Sequence, residues 1–133
     1  RDLPYAAYDR VRFAVPTYRE GDVLARVRVR MDEVFQSLAI VRQILAQLPA
    51  GPVVAPLPEL PPFRWAMGWT ESPRGETVHW LMTGPNGTVY RYRVRSAAYS
   101  NWPAVPLAVK GNIVPDFPLI NKSFELCYAC CDR

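Results

Sequence analysis

Apolar residues recur from Leu24 onward at alternating spacings of three and four: Leu24, Val27, Met31, Val34, Leu38, Val41, Leu45 and Leu48. Positions three and four apart share one face of an α-helix, so this pattern predicts an amphipathic helix of about seven turns. Asp22 stands where an N-cap accepts a first-turn backbone N–H, and Pro49-Ala50-Gly51 ends the periodicity. Arg26, Arg30 and Glu33 fall on another face. The lead-in, residues 1–21, carries Pro4 and Pro16 and ends at Gly21; it reads as irregular.

Beyond residue 64 the period becomes two. Trp65, Met67 and Trp69 alternate with other residues, then Val78, Trp80 and Met82, then Tyr90, Tyr92 and Val94. Side chains alternate across a strand, so these are three strands. Gly84-Pro85-Asn86-Gly87 separates the second and third as a hairpin turn, and the polar run Glu71 to Glu76 separates the first and second. The same period assigns Arg91, Arg93 and Arg95 to one face of the last strand, and His79 to the more polar face of the middle one. Residues 49–63 contain Pro49, Pro52, Pro56, Pro58, Pro61 and Pro62, with Val, Leu and Phe between them. That is an extended connection with side chains to bury, not a flexible linker or a domain boundary. Short helical pieces are expected at Asn101-Trp102-Pro103 and at Asp116-Phe117-Pro118, with Asp116 as a cap. The fold class expected is α+β, in a single domain over 1–133. A long amphipathic helix packs on a small three-stranded antiparallel sheet, Pro-rich connections are irregular, and the C-terminal segment brings Cys127 and Cys130 near the Arg74 turn.

Composition narrows this picture. The 133 residues are half apolar and 21% charged, a globular balance. The net charge of +4 comes from arginines scattered along the chain, with no Lys-rich run and no nucleic-acid motif. Such a surface fits an acidic partner subunit or anionic lipid, and no nucleic-acid role is expected. No apolar run is long enough to span a bilayer. No signal peptide is visible at Arg1, and a chain beginning with arginine is expected to be a piece of a longer product.

All three cysteines lie in the last seven residues, Cys127, Cys130 and Cys131. An odd, clustered count is a poor disulfide framework and fits a reducing compartment. Cys127-Tyr128-Ala129-Cys130 is a C-x-x-C, which a tight turn folds so that both sulfurs face one side. By spacing alone it is an inert or structural pair, half of a metal site, or a redox dithiol. Half a site requires ligands from elsewhere, since His79 is the chain's one other candidate of that kind. Arg74 is either a solvated turn residue or a guanidinium aimed at a site by Pro73, which restricts the backbone before it. His79 is either a satisfied, partly buried histidine or a ligand. Arg91, Arg93 and Arg95 form a solvated or subunit-facing strand edge.

Taken in order, Glu71-Ser72-Pro73-Arg74-Gly75, His79-Trp80, Tyr90-Arg91-Tyr92-Arg93, Asn101-Trp102-Pro103 and Cys127 to Arg133 resemble the large subunit of energy-converting nickel–iron hydrogenases, the formate hydrogenlyase type. The resemblance covers nearly the whole chain. That family shares ancestry with the quinone-site large subunit of complex I, which lacks the cysteines and often has lysine at the Arg74 position. The resemblance implies an oxidoreductase that reversibly reduces protons to H2, with this chain as the C-terminal part of the catalytic subunit. It implies Cys127 as a terminal nickel thiolate that takes the proton, and Cys130 as a bridge between nickel and iron. It also implies Arg74 as a cation overhanging the metals, and Pro73 as part of the pocket lid around the iron ligands.

The family's cluster uses two C-x-x-C pairs, and the first is absent, so the nickel–iron cluster belongs to the full subunit and the isolated chain is expected to be inactive. Cys131 departs from the pattern, which has a small residue without a thiol there. A maturation protease cuts such subunits three residues past the pair, which is Arg133 here. The partners implied are an iron–sulfur small subunit and membrane-arm subunits, with the protein cytoplasmic and peripheral on the inner membrane face. The alternatives are a complex I-like quinone oxidoreductase subunit and a non-catalytic scaffold that binds partners.

Overall fold

The first helix starts where the cap predicts. In this computed structural model, which describes residues 4–131, the Asp22 carboxylate accepts the Ala25 N–H at 2.7 Å and α1 runs over Val23–Gln47. Leu48 then turns to extended backbone ahead of Pro49, because the proline ring disfavours a helical residue before it. The chain divides within the proline-rich connection into two compact units, residues 1–55 and 56–133.

In the first unit the lead-in is irregular, as expected, but it is tied down. The Gln43 side chain accepts the Arg12 N–H at 2.8 Å and donates to the Arg12 carbonyl at 2.7 Å. Gln36 accepts the Ala14 N–H at 2.8 Å, and the Tyr18 hydroxyl donates to Asp32 at 2.9 Å. The lead-in therefore runs antiparallel to α1. A segment with no ladder partner must satisfy its backbone groups otherwise, and a glutamine amide can both donate and accept. Asp32, Gln36 and Gln43 follow Ala25, the buried residue of α1, by near-whole numbers of 3.6-residue turns. They share its face, and the apolar stripe lies on the opposite one. The stripe is consequently exposed, from 45% at Val27 to 66% at Leu45. Val11 is buried, and the rings of Tyr5, Tyr8 and Phe13 form a chain with centroids 5.0 and 5.6 Å apart.

The second unit holds the sheet. Strands β1 (Trp65–Ser72), β2 (Gly75–Thr83) and β3 (Val89–Arg95) pair antiparallel in that order. The Gly84-to-Gly87 turn forms as expected, with Asn86 in the left-handed region at φ 55° and the Gly84 N–H donating to the Thr88 carbonyl at 2.7 Å. A register shift falls at Met82/Thr83. Thr83, buried there, latches the proline-rich connection: its hydroxyl donates to the Pro61 carbonyl at 2.7 Å and accepts the Arg64 N–H at 3.0 Å.

After the sheet come α2 (Ala97–Asn101), α3 (Val105–Ala108) and α4 (Phe117–Phe124). The small core of this unit gathers Ala97, Ala98, Val105 and Ile120 with Thr83 and Ser123. The helical start expected at Asn101-Trp102-Pro103 forms: Asn101 ends α2 and also stands at the cap position of a 3-10 turn over Trp102–Ala104 that leads into α3. One expectation is corrected. Asp116 does stand at the cap position of α4, but its carboxylate reaches back to the Ile113 N–H at 3.4 Å and caps no α4 donor. A preceding 3-10 turn, Val114–Asp116, already holds that residue in helical backbone.

The Tyr18–Asp32 rung gives a pH signature. The Tyr18 phenol is raised above its usual 10.0, chiefly by donating its proton to Asp32, with desolvation and the carboxylate's charge adding. A raised value means that the contact's contribution is complete below pH 10 and is lost as pH climbs through the raised value. Replacing Asp32 with Asn should move one tyrosine to lower pH in an ultraviolet alkaline titration; an unmoved titration curve would show that the rung does not form.

Candidate functional site

The turn between β1 and β2 is two residues long. Ser72 pairs with Gly75, leaving Pro73 and Arg74 at the tip. Pro73 supplies a φ near −65° at the first turn position. Gly75 takes φ +124°, which L side chains rarely adopt. The Ser72 and Thr77 hydroxyls share a hydrogen bond of 2.9 Å just below the tip. Pro73 restricts the backbone just before Arg74, and Gly75 supplies the positive φ that closes the turn after it.

Two distant segments hold Arg74. The Asn101 side-chain amide, at the end of α2, donates to the Arg74 carbonyl at 2.6 Å. The guanidinium stands 3.5 Å from the Glu125 carboxylate, with both side chains partly exposed. An exposed pair of this kind contributes little to stability, on the order of 0–1 kcal/mol; its effect is to orient a long side chain. Glu125 is the left-handed residue that ends α4, φ 48° and ψ 35°, and its N–H donates to the Lys122 carbonyl at 3.0 Å. Cys127 lies two residues further on.

The cysteine segment is anchored to the same elements. Tyr128 packs on Trp102 with the rings tilted by 37° and centroids 4.8 Å apart, and the Asn121 amide of α4 donates to its hydroxyl. Ser96, just before α2, donates its hydroxyl to the Cys130 carbonyl at 3.4 Å. A 3-10 turn over Ala129–Cys131 closes the C-x-x-C. Cys127 and Cys130 are half-buried, whereas Cys131 is exposed with its Sγ 3.8 Å from the Cys127 carbonyl. The Arg74 turn and the cysteine segment are thus each tied to residues at the two ends of α2, Arg74 to Asn101 and Cys130 to Ser96. Pro73 is exposed at the tip. Arg133, the expected processing position, lies outside the described residues.

His79 takes no part. Its Nδ1 is 2.5 Å from the Tyr92 hydroxyl and the two rings stack at 5.9 Å, so it is a satisfied sheet histidine. Among the described residues no group of three or more His, Cys, Asp or Glu side chains is gathered to hold a metal. The donor set is two thiols in one turn, which suits half of a soft-metal site and not a whole one. The buried indole N–H of Trp102 has no hydrogen-bond partner among the described residues, although its ring packs on Tyr128.

Sequence reasoning did not single out Glu125 or Ser96, and it assigned Asn101 to a helix start. Their roles depend on contacts across 51, 34 and 27 residues. The signal available for Glu125 was its position, an acidic residue two places before Cys127.

The second unit is an α+β scaffold that carries the arginine turn and the C-x-x-C on neighbouring elements. The chain belongs to the family of the respiratory-chain NADH dehydrogenase 49 kDa subunit, whose model matches residues 1–66 and 60–133, and this is an oxidoreductase family. Hydrogenase-4 component G of Escherichia coli (strain K12) is 42% identical over 99% of this chain and 24% of its own length. Formate hydrogenlyase subunit 5 of the same organism is 40% identical over 99% of this chain and 23% of its own length. A chain of the membrane-bound sulfane sulfur reductase, an archaeal respiratory membrane complex, superposes with a TM-score of 0.79 and 29% identity, covering 98% of this chain and 37% of that one. The chain spans about a quarter of the length of these two curated relatives.

The turn yields a direct test. A methyl group on Gly75 would meet Ala97 Cβ at 3.6 Å, an ordinary contact, so the cost of Gly75→Ala is conformational. It should destabilise the second unit by about 1–3 kcal/mol, read by urea unfolding with tryptophan fluorescence. A loss under half that would mean the turn relaxes freely.

Proposed function

We propose that this chain is the C-terminal part of the large, nickel-bearing subunit of an energy-converting nickel–iron hydrogenase of the formate hydrogenlyase type. In the whole protein it serves the reversible reduction of two protons by two electrons to H2. The observation that supports this reading is that Arg74 and the cysteine segment are both tied to α2 and its flanks, Arg74 by Asn101 and Glu125 and Cys130 by Ser96. The two hydrogenase relatives, 42% and 40% identical, point the same way.

Cys127 and Cys130 would hold the metals together with a second thiol pair from elsewhere in the subunit. When bound, the nickel–iron group supplies the open coordination at which H2 is split or formed. The residues of this chain supply the surroundings. Cys127 provides a thiolate basic enough to accept a proton. Arg74 presents a fixed positive charge that polarises a small substrate, and Glu125 and Asn101 keep it aimed. Pro73 stiffens the tip and serves as part of the pocket lid. Electrons would come from an iron–sulfur small subunit, with membrane-arm subunits and a maturation protease as the other partners.

No helix of the described residues is long and apolar enough to cross a membrane. A peripheral place on the inner face of a membrane complex, in the cytoplasm, fits both that and the membrane-bound neighbour. The family also contains quinone-reducing subunits. The thiol pair favours the hydrogenase reading over that one, and over a non-catalytic scaffold.

Replacing Cys130 with Ser in the full complex tests the proposal. H2 evolution should fall at least a hundredfold and bound nickel should drop with it. Undiminished activity and metal content would reject the assignment, and quinone reduction without H2 evolution by the parent complex would establish the rival.

A further inference from the structure

The register of the sheet produces a surface that the strands do not show one at a time. Met82 pairs with Trp65 on one side and Arg91 on the other. Trp80 likewise pairs with Met67 and Arg93, and Val78 with Trp69 and Arg95. One face of the sheet is therefore a floor of Trp and Met two strands wide, flanked by a rail of three arginines. Tyr92 and Val94, the apolar residues of β3, point to the other face. The floor is open: Trp65, Met67 and Trp69 are each more than half exposed. A shallow groove of about 460 Å3 lies in it, lined by Met67, Trp69, Trp80 and Arg93 among others. At the turn end Arg95 is paired with Glu76. Arg91 and Arg93 make no ion pair with any described residue.

Uncovered tryptophan and methionine carry the composition of a protein-binding patch, beside arginines of which Arg91 and Arg93 make no ion pair among the described residues, Arg93 donating only to the Tyr92 carbonyl at 3.2 Å. We propose that this face docks an amphipathic helix that carries an apolar stripe and, along one flank, a pair of carboxylates at i and i+4. The inference does not depend on the hydrogenase reading. Its dimensions follow from the sheet. Two strands about 4.8 Å apart, with their side chains, offer a floor roughly 10 Å across, the width of one α-helix. Arg91 and Arg93 are two residues apart on a strand, about 6.8 Å, close to the roughly 6 Å rise between helix positions i and i+4. Arginine pairs with carboxylate through two parallel N–H···O bonds, and the apolar floor beside it keeps water away from them. An extended segment would add to an exposed strand edge and leave this face bare. A second copy of the chain would bring another three arginines against the rail. An anionic lipid surface would meet Glu71 and Glu76, which pair across β1 and β2 at the turn end.

The test uses the assembled complex, with a benzophenone amino acid in place of Met67 and cross-links identified by mass spectrometry. The expected adduct is a helical segment with acidic residues four apart on one flank. Its yield should fall at least tenfold in the double variant Arg91→Glu, Arg93→Glu. It should stay within threefold in Arg91→Lys, Arg93→Lys, which keeps the charge and controls for assembly. A cross-link to lipid, to a second copy of the subunit or to a basic or non-helical segment overturns the proposal. So does a yield indifferent to charge reversal, or an assembled complex with no adduct. If the charge-reversed complex does not assemble, the identity of the adduct in the parent complex decides.

Discussion

The second unit turns on one corner, where the Arg74 carbonyl and guanidinium are held by Asn101 and Glu125. Neither interaction is strong alone. The carbonyl bond contributes on the order of 1 kcal/mol and the exposed ion pair less. Their importance is positional. They join the β1–β2 turn, the end of α2 and the residue that closes α4, three segments remote in sequence. With Ser96 on Cys130 and Trp102 on Tyr128, the cysteine turn is referred to the same frame.

The first unit solves a different problem. Its lead-in has no strand to pair with and carries prolines that remove donors. The amides of Gln36 and Gln43 and the carboxylate of Asp32 take the place of a ladder. Because these residues recur on one face of α1, the apolar stripe is left on the other. Both the stripe and the sheet floor leave large apolar side chains exposed.

Much of this was legible beforehand. Asp22 as cap, Pro49 as stop, three period-two runs and the Gly-Pro-Asn-Gly turn all rest on interactions within a few residues, which a linear pattern records. The C-x-x-C and the Pro-Arg turn were visible as motifs, and their order along the chain pointed to the family that the comparison supports. Less legible were the residues that make the site cohere. Nothing local marks Asn101 as the clamp on residue 74, although the helical turn that follows it was legible from Asn101-Trp102-Pro103.

By itself, then, the amino-acid sequence determined where the helix and strands lie and which superfamily the chain joins. Periodicity, caps and turn residues act at short range. Tertiary structure alone decided that the arginines of β3 line the Trp and Met floor, that the lead-in covers the polar side of α1, and that Glu125 meets Arg74. Register and the choice of which face to cover are set by contacts between residues far apart in the chain, and a shift of one residue in strand pairing would have turned the arginine rail to the opposite side.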